Sequence, residues 1–442
     1  MRILLIAYEF PPIIAAQSLR WFYLSNELAK LGVEVHVLCS DMPSLPPFHE
    51  DFAPGVIVHR VWPGPYVGFS QKAYLHLSRW TRGGGAVGPL GGDSVLLKMH
   101  RWGRRVLDQI IFPDLRTEWA PSASLRLIQL LRTTRYSAVV ASHEPGVDLL
   151  LGLLAKRITR IPLIVDLADP VVAPYTPRWR QRIDLAFEAK VIARADAIVV
   201  TTMAVVDLLK RRHGLRDADN KFTCIAQGFP SRNSGRVENS HHSKSLHLVY
   251  TGNFYADFRS PVEFARALRS IRDLDISVTF YGNHAAYQAL FDGIPGVRFH
   301  GIVDHGTCIS AQQNSDVLLS VGNSQPFQVP GKIYEYLGIG SPILHIANTP
   351  MDEAGALIMR VRAGWVVQNQ ADSIERILRE IHARWTSGAL QSMFLRDENT
   401  IAEFAWDKRA IHYKDVIDEC IGAHENAGRI ERSMKNKEKG RY

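Results

Sequence analysis

The residues between 325 and 344 carry the most specific chemistry of this sequence. Pro330 and Gly331 follow a predicted strand and begin a short helix, in which Glu335 lies one turn in, close to Lys332. A carboxylate there can accept hydrogen bonds from two ribose hydroxyls, while the N–H groups at the helix start face a phosphate. The alternative interpretation is a solvent-exposed Glu335 that only pairs with Lys332, three residues before it.

A second candidate phosphate site follows the strand predicted at residues 246–251. That strand ends at Gly252 and Asn253, and Arg259 comes just before Pro261, a residue favoured at the first position of a helix. A guanidinium beside a helix N-terminus suits a diphosphate. Taken alone, Arg259 also fits an exposed side chain on a solvated loop.

Polar side chains also follow strands in the first half of the chain. The first strand, predicted at 2–7, leads into a turn that contains Ala15 and Ala16, and His143, Asp166 and Asp169 end later strands. Because ligands bind at the carboxyl ends of parallel strands, we expect these positions to face one cleft. The turn after the first strand contains neither GxGxxG nor GxxxxGK[ST], which argues against a dinucleotide site or a P-loop there.

The elements that must position these residues alternate between strands and helices. Strands are predicted at 2–7, 34–39, 56–61, 138–142, 163–166 and 197–201, with helices that include 18–31, 147–156 and 181–193. A polar stretch at 227–245 interrupts the pattern. It restarts with strands at 246–251, 277–281, 297–300, 317–321, 342–346 and 364–367. This alternation predicts two doubly wound α/β domains joined by one linker.

Composition narrows the class of protein. The 442 residues are 46% hydrophobic and 22% charged, which is typical of globular domains. No apolar window is long enough to predict a spanning helix, and the N-terminus predicts no export signal. The cysteines at 39, 224, 308 and 420 form no CxxC pair, so neither a zinc knuckle nor a disulfide framework is indicated. We therefore expect a cytoplasmic protein with reduced thiols.

Taken in order, these segments resemble the retaining nucleotide-sugar glycosyltransferases of the GT-B fold (family 4-like, glycosyl transferases group 1). The resemblance covers nearly the whole chain. It rests on residues 3–12, 142–145, 166–170, 187–200, 252–261 and 329–344. It implies an α/β fold of two Rossmann-like doubly wound domains that face a central cleft.

The resemblance also implies domain boundaries. Residues 1–228 would form the acceptor-side domain, with an insertion near 64–115, and 229–245 the linker. Residues 246–400 would form the nucleotide-sugar-binding domain. Residues 401–425 would form a helix that crosses back to the first domain, and 426–442 a basic tail.

The site residues follow from the resemblance position by position. Glu335 matches the glutamate that holds the ribose, and Gly331, Lys332 and Gly252 would line the same nucleotide site. His143 matches the histidine segment at the reaction centre; its alternative role is a strand-end histidine that bonds a backbone carbonyl. Arg259 matches one of two cations that hold the diphosphate.

Four positions depart from the family pattern. Ala15 and Ala16 stand where the family has two glycines in the turn after the first strand. Asn253 stands where the first diphosphate cation is expected, and Phe327 stands where a first glutamate lies near the sugar hydroxyls. Asn253, Ala15 and Ala16 remain predicted donor-site positions, but the identity of the sugar does not follow from the sequence.

The activity implied is transfer of a hexose or related sugar, with retention, from a UDP- or GDP-linked donor to a saccharide or lipid-linked acceptor of cell-surface polysaccharide synthesis. The resemblance implies a metal-independent hexosyltransferase with no cofactor, and we expect Asp166 and Asp169 to contact the acceptor or shape its loop. Two alternatives stay open: a sugar-nucleotide epimerase on the same fold, and a catalytically silent subunit that binds a partner.

The charge pattern suggests a membrane contact. The net charge is +8, and residues 79–105 contain six basic residues against one acid, while 429–441 contain six against two. Trp80 and Trp102 accompany the first cluster, and no nucleic-acid-binding motif does. We expect peripheral contact with an anionic membrane, at the inner face of the cell membrane, and no nucleic acid partner. The alternative is a helix packed on the core with a solvated basic side.

Overall fold

The computed structural model describes residues 1–42, 50–68, 111–173, 176–216, 221–231, 244–256, 259–350, 352–390 and 394–439, the last ten of these as backbone only. The basic segment 79–105 therefore lies outside the described residues. Labels below number the described helices and strands in chain order. No described helix is long and apolar enough to cross a membrane.

The first sheet contains seven parallel strands. They are β1 (Arg2–Ile6), β2 (Glu34–Ser40), β3 (Val56–Val61), β4 (Ala138–His143), β5 (Leu163–Leu167), β6 (Ala197–Val200) and β7 (Phe222–Cys224). Their order in the sheet is β3-β2-β1-β4-β5-β6-β7. Strands β1 to β3 lie on one side of the β1–β4 junction and β4 to β7 on the other, so this junction is the topological switch point of a doubly wound sheet.

Helices cover both faces of this sheet. They are α1 (Ala16–Lys30), α2 (Ala120–Thr133), α3 (Gly146–Thr159), α4 (Gln181–Arg194) and α5 (Met203–His213). Leu4 and Ile6 of β1 enter the apolar core on one face, and Ile3 and Leu5 enter the core on the other. Since alternate side chains of a strand point to opposite faces, burial on both faces explains the unbroken apolar run of β1.

The second sheet repeats this architecture with six parallel strands. They are β8 (Leu246–Thr251), β9 (Ile276–Tyr281), β10 (Val297–Phe299), β11 (Val317–Val321), β12 (Ile343–Ala347) and β13 (Gly364–Gln368), in the order β10-β9-β8-β11-β12-β13. Its helices are α6 (Val262–Ser270), α7 (His305–Gln313), α8 (Gly331–Ile339), α9 (Glu353–Arg360), α10 (Ala371–Thr386) and α11 (Glu398–Ala402). The switch point lies between β8 and β11.

The last helix, α12 (Trp406–Lys439), returns to the first sheet. Trp406 and Tyr413 are buried in the same core as Trp21 and Tyr23 of α1. The ring of Trp406 stacks on Tyr23 with centroids 5.8 Å apart. Large aromatic surfaces buried between α1 and α12 hold the C-terminal helix on the N-terminal half.

The predicted doubly wound α/β architecture is confirmed, and each predicted strand has a counterpart whose ends agree within one residue. The strand β7 was not predicted. Its three residues are too few for an alternating pattern to appear, and all three are only half-buried.

Candidate functional site

The candidate residues gather at the carboxyl ends of the two sheets. In the first half they follow β1, β4 and β5, and in the second half they follow β8 and β11. Both sets sit beside a switch point, where the loops on either side turn away in opposite directions and leave a crevice. The topology therefore puts the candidate residues at the edges where such folds bind ligands.

Close backbone approach shapes the loop after β8. Gly252 has φ +121°, and a Cβ on the neighbouring Gly282 would lie 2.2 Å from the carbonyl oxygen of Gly252. The side chain of Asn253 accepts a hydrogen bond from the Asn283 N–H at 2.8 Å, and His284 Nε2 donates to the Gly252 carbonyl at 2.8 Å. Asn253 thus fixes the turn after β9, and its amide is engaged in that contact.

Arg259 is oriented by a second asparagine. Its Nε and Nη2 both donate to Asn323 Oδ1, at 3.1 and 2.6 Å, and Nη1 donates to the Asn253 carbonyl at 3.4 Å. One N–H group each of Nε, Nη1 and Nη2 is therefore held by a protein oxygen. Further N–H groups of Nη1 and Nη2 remain for a ligand, since arginine has five donors.

Lys332 carries a buried amino group that has no hydrogen-bond partner among the described residues. Its Nζ lies 3.8 Å from the centre of the Tyr250 ring, and 3.9 Å from the position of a Cβ built on Gly252. Burial first, and then the charge of Arg259, hold the pKa of Lys332 well below its usual value. Burial without a hydrogen-bond partner disfavours the ammonium form, and an anion bound beside Lys332 would restore it.

The N-terminus of α8 is open beside this amino group. Pro330 precedes the helix and provides no side-chain cap, and a Cβ on Gly331 would meet nothing within 4 Å. The helix is held against the sheet by Tyr336, whose hydroxyl accepts from the Thr251 N–H at 3.1 Å and donates to the Leu319 carbonyl. Free N–H groups at such a helix start attract negative charge.

Glu335 pairs with a histidine that the sequence did not single out. His305 Nε2 donates to Glu335 Oε1 at 3.0 Å, and His305 Nδ1 lies 3.9 Å from Glu50 Oε1 of the first half. Burial lowers the pKa of His305, but the Glu335 and Glu50 carboxylates outweigh it and raise that pKa to about 10. Burial raises the pKa of Glu335, and the imidazolium more than reverses this, so the pKa of Glu335 is lowered. Glu335 is therefore ionised and oriented.

His143 is buried at the end of β4. Its Nδ1 donates to the Asp169 carbonyl at 2.9 Å, which is the contact expected of a strand-end histidine. A carbonyl oxygen can only accept, so Nδ1 carries the proton and Nε2 of the neutral ring is left as an acceptor. The backbone contact orients the ring, and it does not exclude a role in the reaction.

The two predicted acceptor carboxylates have different surroundings. Asp166 is fully buried and pairs with Arg20, whose Nη2 lies 3.0 Å from Asp166 Oδ2 and whose other N–H groups donate to the Ile225 and Ala226 carbonyls. That burial leaves Asp166 no surface for an acceptor. Asp169 is half-buried at the cleft, where Gln328 Nε2 donates to its Oδ1 at 2.6 Å.

Phe327 packs against the apolar core of the first half. Its carbonyl accepts a hydrogen bond from Thr202 Oγ1 at 2.8 Å, across the cleft. Ala15 and Ala16 lie at the start of α1, which has no side-chain cap, and Ala16 is exposed. The departures at Phe327 and at Ala15 and Ala16 therefore lie at loops that border the cleft.

Within the described part of the chain, the candidate donor-site residues gather around β8 and α8: Gly252, Arg259, Gly331, Lys332 and Glu335. The candidate residues His143 and Asp169 lie on the opposite half. Sequence reasoning missed His305, Asn323, Gln328 and Arg20. Their partners lie 5 to 206 positions away in the chain, and no local pattern connects them. The described residues contain no group of three potential metal ligands, and metal independence stays a prediction.

Comparison with known sequences points to one kind of domain. Residues 18–222 match the family described as "Glycosyl transferase 4-like domain". This range spans α1 to β7 and includes His143, Asp166 and Asp169. No curated protein sequence matches the chain.

Solved structures similar to this one share its fold over most of both chains. A sucrose-phosphate synthase from Thermosynechococcus elongatus has 15% identity and a TM-score of 0.68, with 96% of this chain and 99% of that chain covered. HepE from Anabaena, solved with UDP and glucose, has 12% identity and a TM-score of 0.60, with 95% and 99% covered. WaaG, a glycosyltransferase involved in lipopolysaccharide biosynthesis, has 13% identity and a TM-score of 0.55, with 95% and 98% covered. The predicted GT-B fold is confirmed.

Proposed function

We propose that this protein is a glycosyltransferase that takes a sugar from a nucleoside-diphosphate sugar. The observation that carries the proposal is the buried amino group of Lys332, which has no hydrogen-bond partner in the described part of the chain and lies beside Arg259, the open start of α8 and the oriented carboxylate of Glu335. Two cations and a helix N-terminus suit a diphosphate, and Glu335 suits ribose hydroxyls. The match to a glycosyl transferase 4-like domain and the UDP bound by the Anabaena relative support this assignment.

The reaction breaks the bond between the anomeric carbon and the diphosphate oxygen. Negative charge develops on the leaving diphosphate, and Arg259, Lys332 and the N–H groups at Gly331 would stabilise it more strongly in the transition state than in the ground state. The acceptor hydroxyl would approach from the side of His143 and Asp169. We assign retention of configuration and metal independence as parts of this proposal, with a hexose as the transferred group.

The acceptor is proposed to be a saccharide or a lipid-linked saccharide of cell-surface polysaccharide synthesis, used on the cytoplasmic side of the membrane. Asp169 is the carboxylate best placed to receive acceptor hydroxyls, because Asp166 is enclosed with Arg20. A carboxylate accepts hydrogen bonds at two oxygens, so Asp169 can receive a sugar hydroxyl while it also accepts from Gln328.

The first experiment identifies the nucleotide. Thermal unfolding is measured with UDP, GDP, ADP and dTDP, followed by hydrolysis and transfer assays with the matching sugar nucleotides. Stabilisation by UDP or GDP together with sugar transfer is the expected result. Binding without any turnover would indicate a silent subunit, and release of a free 2-epimer would indicate an epimerase. No stabilisation by any nucleotide and no turnover would contradict the proposal.

The second experiment tests Glu335. Glu335→Ala should weaken binding of the preferred nucleotide by about 1.5–3 kcal/mol in calorimetry, because it removes hydrogen bonds to a charged acceptor. Glu380→Ala, on the exposed side of α10, is the control and should bind as the parent does. An unchanged affinity in Glu335→Ala would remove Glu335 from the nucleotide site.

A further inference from the structure

An unbroken chain of side-chain hydrogen bonds crosses the cleft. It begins at Arg259 in the second half, whose guanidinium donates to Asn323 Oδ1. Asn323 Nδ2 then donates to Gln328 Oε1 at 3.0 Å, and Gln328 Nε2 donates to Asp169 Oδ1 at 2.6 Å in the first half. The backbone carbonyl of Asp169 in turn accepts a hydrogen bond from His143 Nδ1. The candidate diphosphate cation and the candidate reaction-centre histidine are thus joined through Asn323, Gln328 and Asp169, the last link being the Asp169 backbone carbonyl.

The direction of this chain is determined by its two ends. A guanidinium can only donate and a carboxylate can only accept, so Asn323 must present its oxygen to Arg259 and Gln328 must present its nitrogen to Asp169. The Asn323 nitrogen is then left to donate and the Gln328 oxygen to accept, and these two atoms face each other. Both amide orientations therefore follow from chemistry.

The loop that carries Gln328 is held on the first half at a second point. Phe327 packs against the first-half core, and its carbonyl accepts from Thr202 Oγ1. Two adjacent residues of one loop therefore contact the opposite half, one through apolar burial and one through hydrogen bonds. The position of Gln328 is coupled to the separation of the two halves.

We propose that Asn323 and Gln328 are positioning residues that align the Arg259 guanidinium only when the cleft is closed on Asp169. The inference rests on the proposed function of Arg259 at the diphosphate. A planar fork is effective when two of its N–H groups point at the developing charge, and an error of about 1 Å in such a group costs about a hundredfold in rate. Opening the cleft would remove Asp169 from Gln328 and free both amides to rotate.

The test uses Gln328→Met, which keeps the length of the side chain without adding charge. Its radius of gyration in small-angle X-ray scattering, without any ligand, should exceed that of the parent. Its kcat for sugar transfer should fall by about 10 to 100-fold, with the nucleotide affinity within about threefold of the parent value. Gln129→Met is the matched control, because Gln129 is exposed near the end of α2, which leads into the amino end of β4, at the opposite edge of the sheet from the cleft, and it should match the parent in every measurement.

A double variant tests whether the residues act as one chain. Asn323→Leu should lower kcat to a similar extent, and the variant with both changes should lose no more than the worse single variant. Losses that multiply would overturn the proposal, as would a larger radius with unchanged kcat. Thermal unfolding within about 3 °C of the parent shows that each variant is folded.

The scattering result separates this inference from the proposed function. An unchanged radius of gyration in Gln328→Met overturns the cross-cleft contact whatever reaction the protein carries out. A parent protein that binds no nucleotide and transfers no sugar contradicts the proposed function, and the scattering comparison remains valid for the contact itself.

Discussion

At the scale of single residues, the charge state of the site is set by pairing. Glu335 is ionised because His305 is protonated beside it, whereas Lys332 Nζ has no hydrogen-bond partner among the described residues. The site therefore holds an oriented anion where hydroxyl donors are expected and a buried amino group with free hydrogen-bonding capacity where a phosphate is expected. Neither feature is visible in the residue types alone.

The His305–Glu335 pair predicts a pH dependence of stability. The folded-state pKa of His305 is raised to about 10 from 6.5, so its contribution to stability is complete below pH 6.5 and is lost as the pH rises towards 10. Between pH 6 and pH 9.5 the unfolding temperature should fall more in the parent than in His305→Gln. The exposed His424→Gln on α12 should behave like the parent. Equal falls in parent and His305→Gln would contradict the pairing.

Arg259 should matter for turnover and little for folding. Arg259→Ala is expected to lower kcat by about 10²–10³-fold, since it removes a cation that stabilises charge formed in the transition state. Arg259→Lys should recover only part of the loss, because an ammonium lacks the planar fork that Asn323 orients. Arg266→Ala, exposed on α6, is the control for charge. Transfer by Arg259→Ala at the parent rate would contradict this role.

At the scale of elements, the two halves are connected by paired segments. The Phe229 N–H donates to the Phe404 carbonyl at 3.2 Å, and the Trp406 N–H donates to the Phe229 carbonyl at 3.0 Å. The segment that leaves the first half therefore runs beside the segment that returns to it. Arg20 reinforces the junction, because it donates to the carbonyls of Ile225 and Ala226.

Gly228 permits this close approach, which gives a prediction at the same scale. A Cβ on Gly228 would lie 2.4 Å from the Phe404 carbonyl oxygen and 3.0 Å from the nearest atom of the Trp406 ring. Gly228→Ala should destabilise the protein by about 1–3 kcal/mol, since neither backbone nor buried indole can shift freely.

The control for Gly228→Ala is a glycine with open surroundings. A Cβ on Gly422, within α12, would meet nothing within 4 Å. Gly422→Ala should leave the stability unchanged or raise it by up to about 1 kcal/mol, because alanine favours helix. A Gly228→Ala variant as stable as the parent in denaturant titration would contradict the packing of the two segments.

At the scale of the whole molecule, the excess positive charge predicts binding to anionic membranes. The basic cluster at 79–105 lies outside the described residues, so its docking stays a prediction from the sequence. Each basic residue near an anionic surface contributes about 1 kcal/mol, and apolar burial adds to it. The full chain should float with anionic liposomes at low salt, less at high salt, and little with neutral liposomes.

Charge-removal variants locate the membrane contact. Flotation should be lost when four basic residues of the cluster are replaced by serine: Lys98, Arg101, Arg104 and Arg105. It should persist when four exposed arginines elsewhere are replaced by serine: Arg157, Arg211, Arg266 and Arg376. No flotation of the parent with anionic liposomes at low salt would discard the membrane contact.

The sequence by itself determined the fold and the loops that border the cleft. Strand and helix periodicity are local, and parallel strands bring their carboxyl ends to one edge, so the positions of Gly252, Arg259, Gly331 and Glu335 followed from their place in the chain. The strand β7 was not predicted because three residues are too few to show an alternating pattern.

Only the tertiary structure decided which charged groups are paired and which are free. Asp166 and Asp169 are three residues apart and look alike in sequence, yet one is enclosed with Arg20 and the other meets Gln328, 159 positions away. His305 and Glu335 become partners because α7 and α8 pack side by side, and Phe327 becomes an apolar contact because the first half lies against it. Ionisation and hydrogen bonding depend on neighbours in space, and those neighbours are set by how the sheets and helices pack.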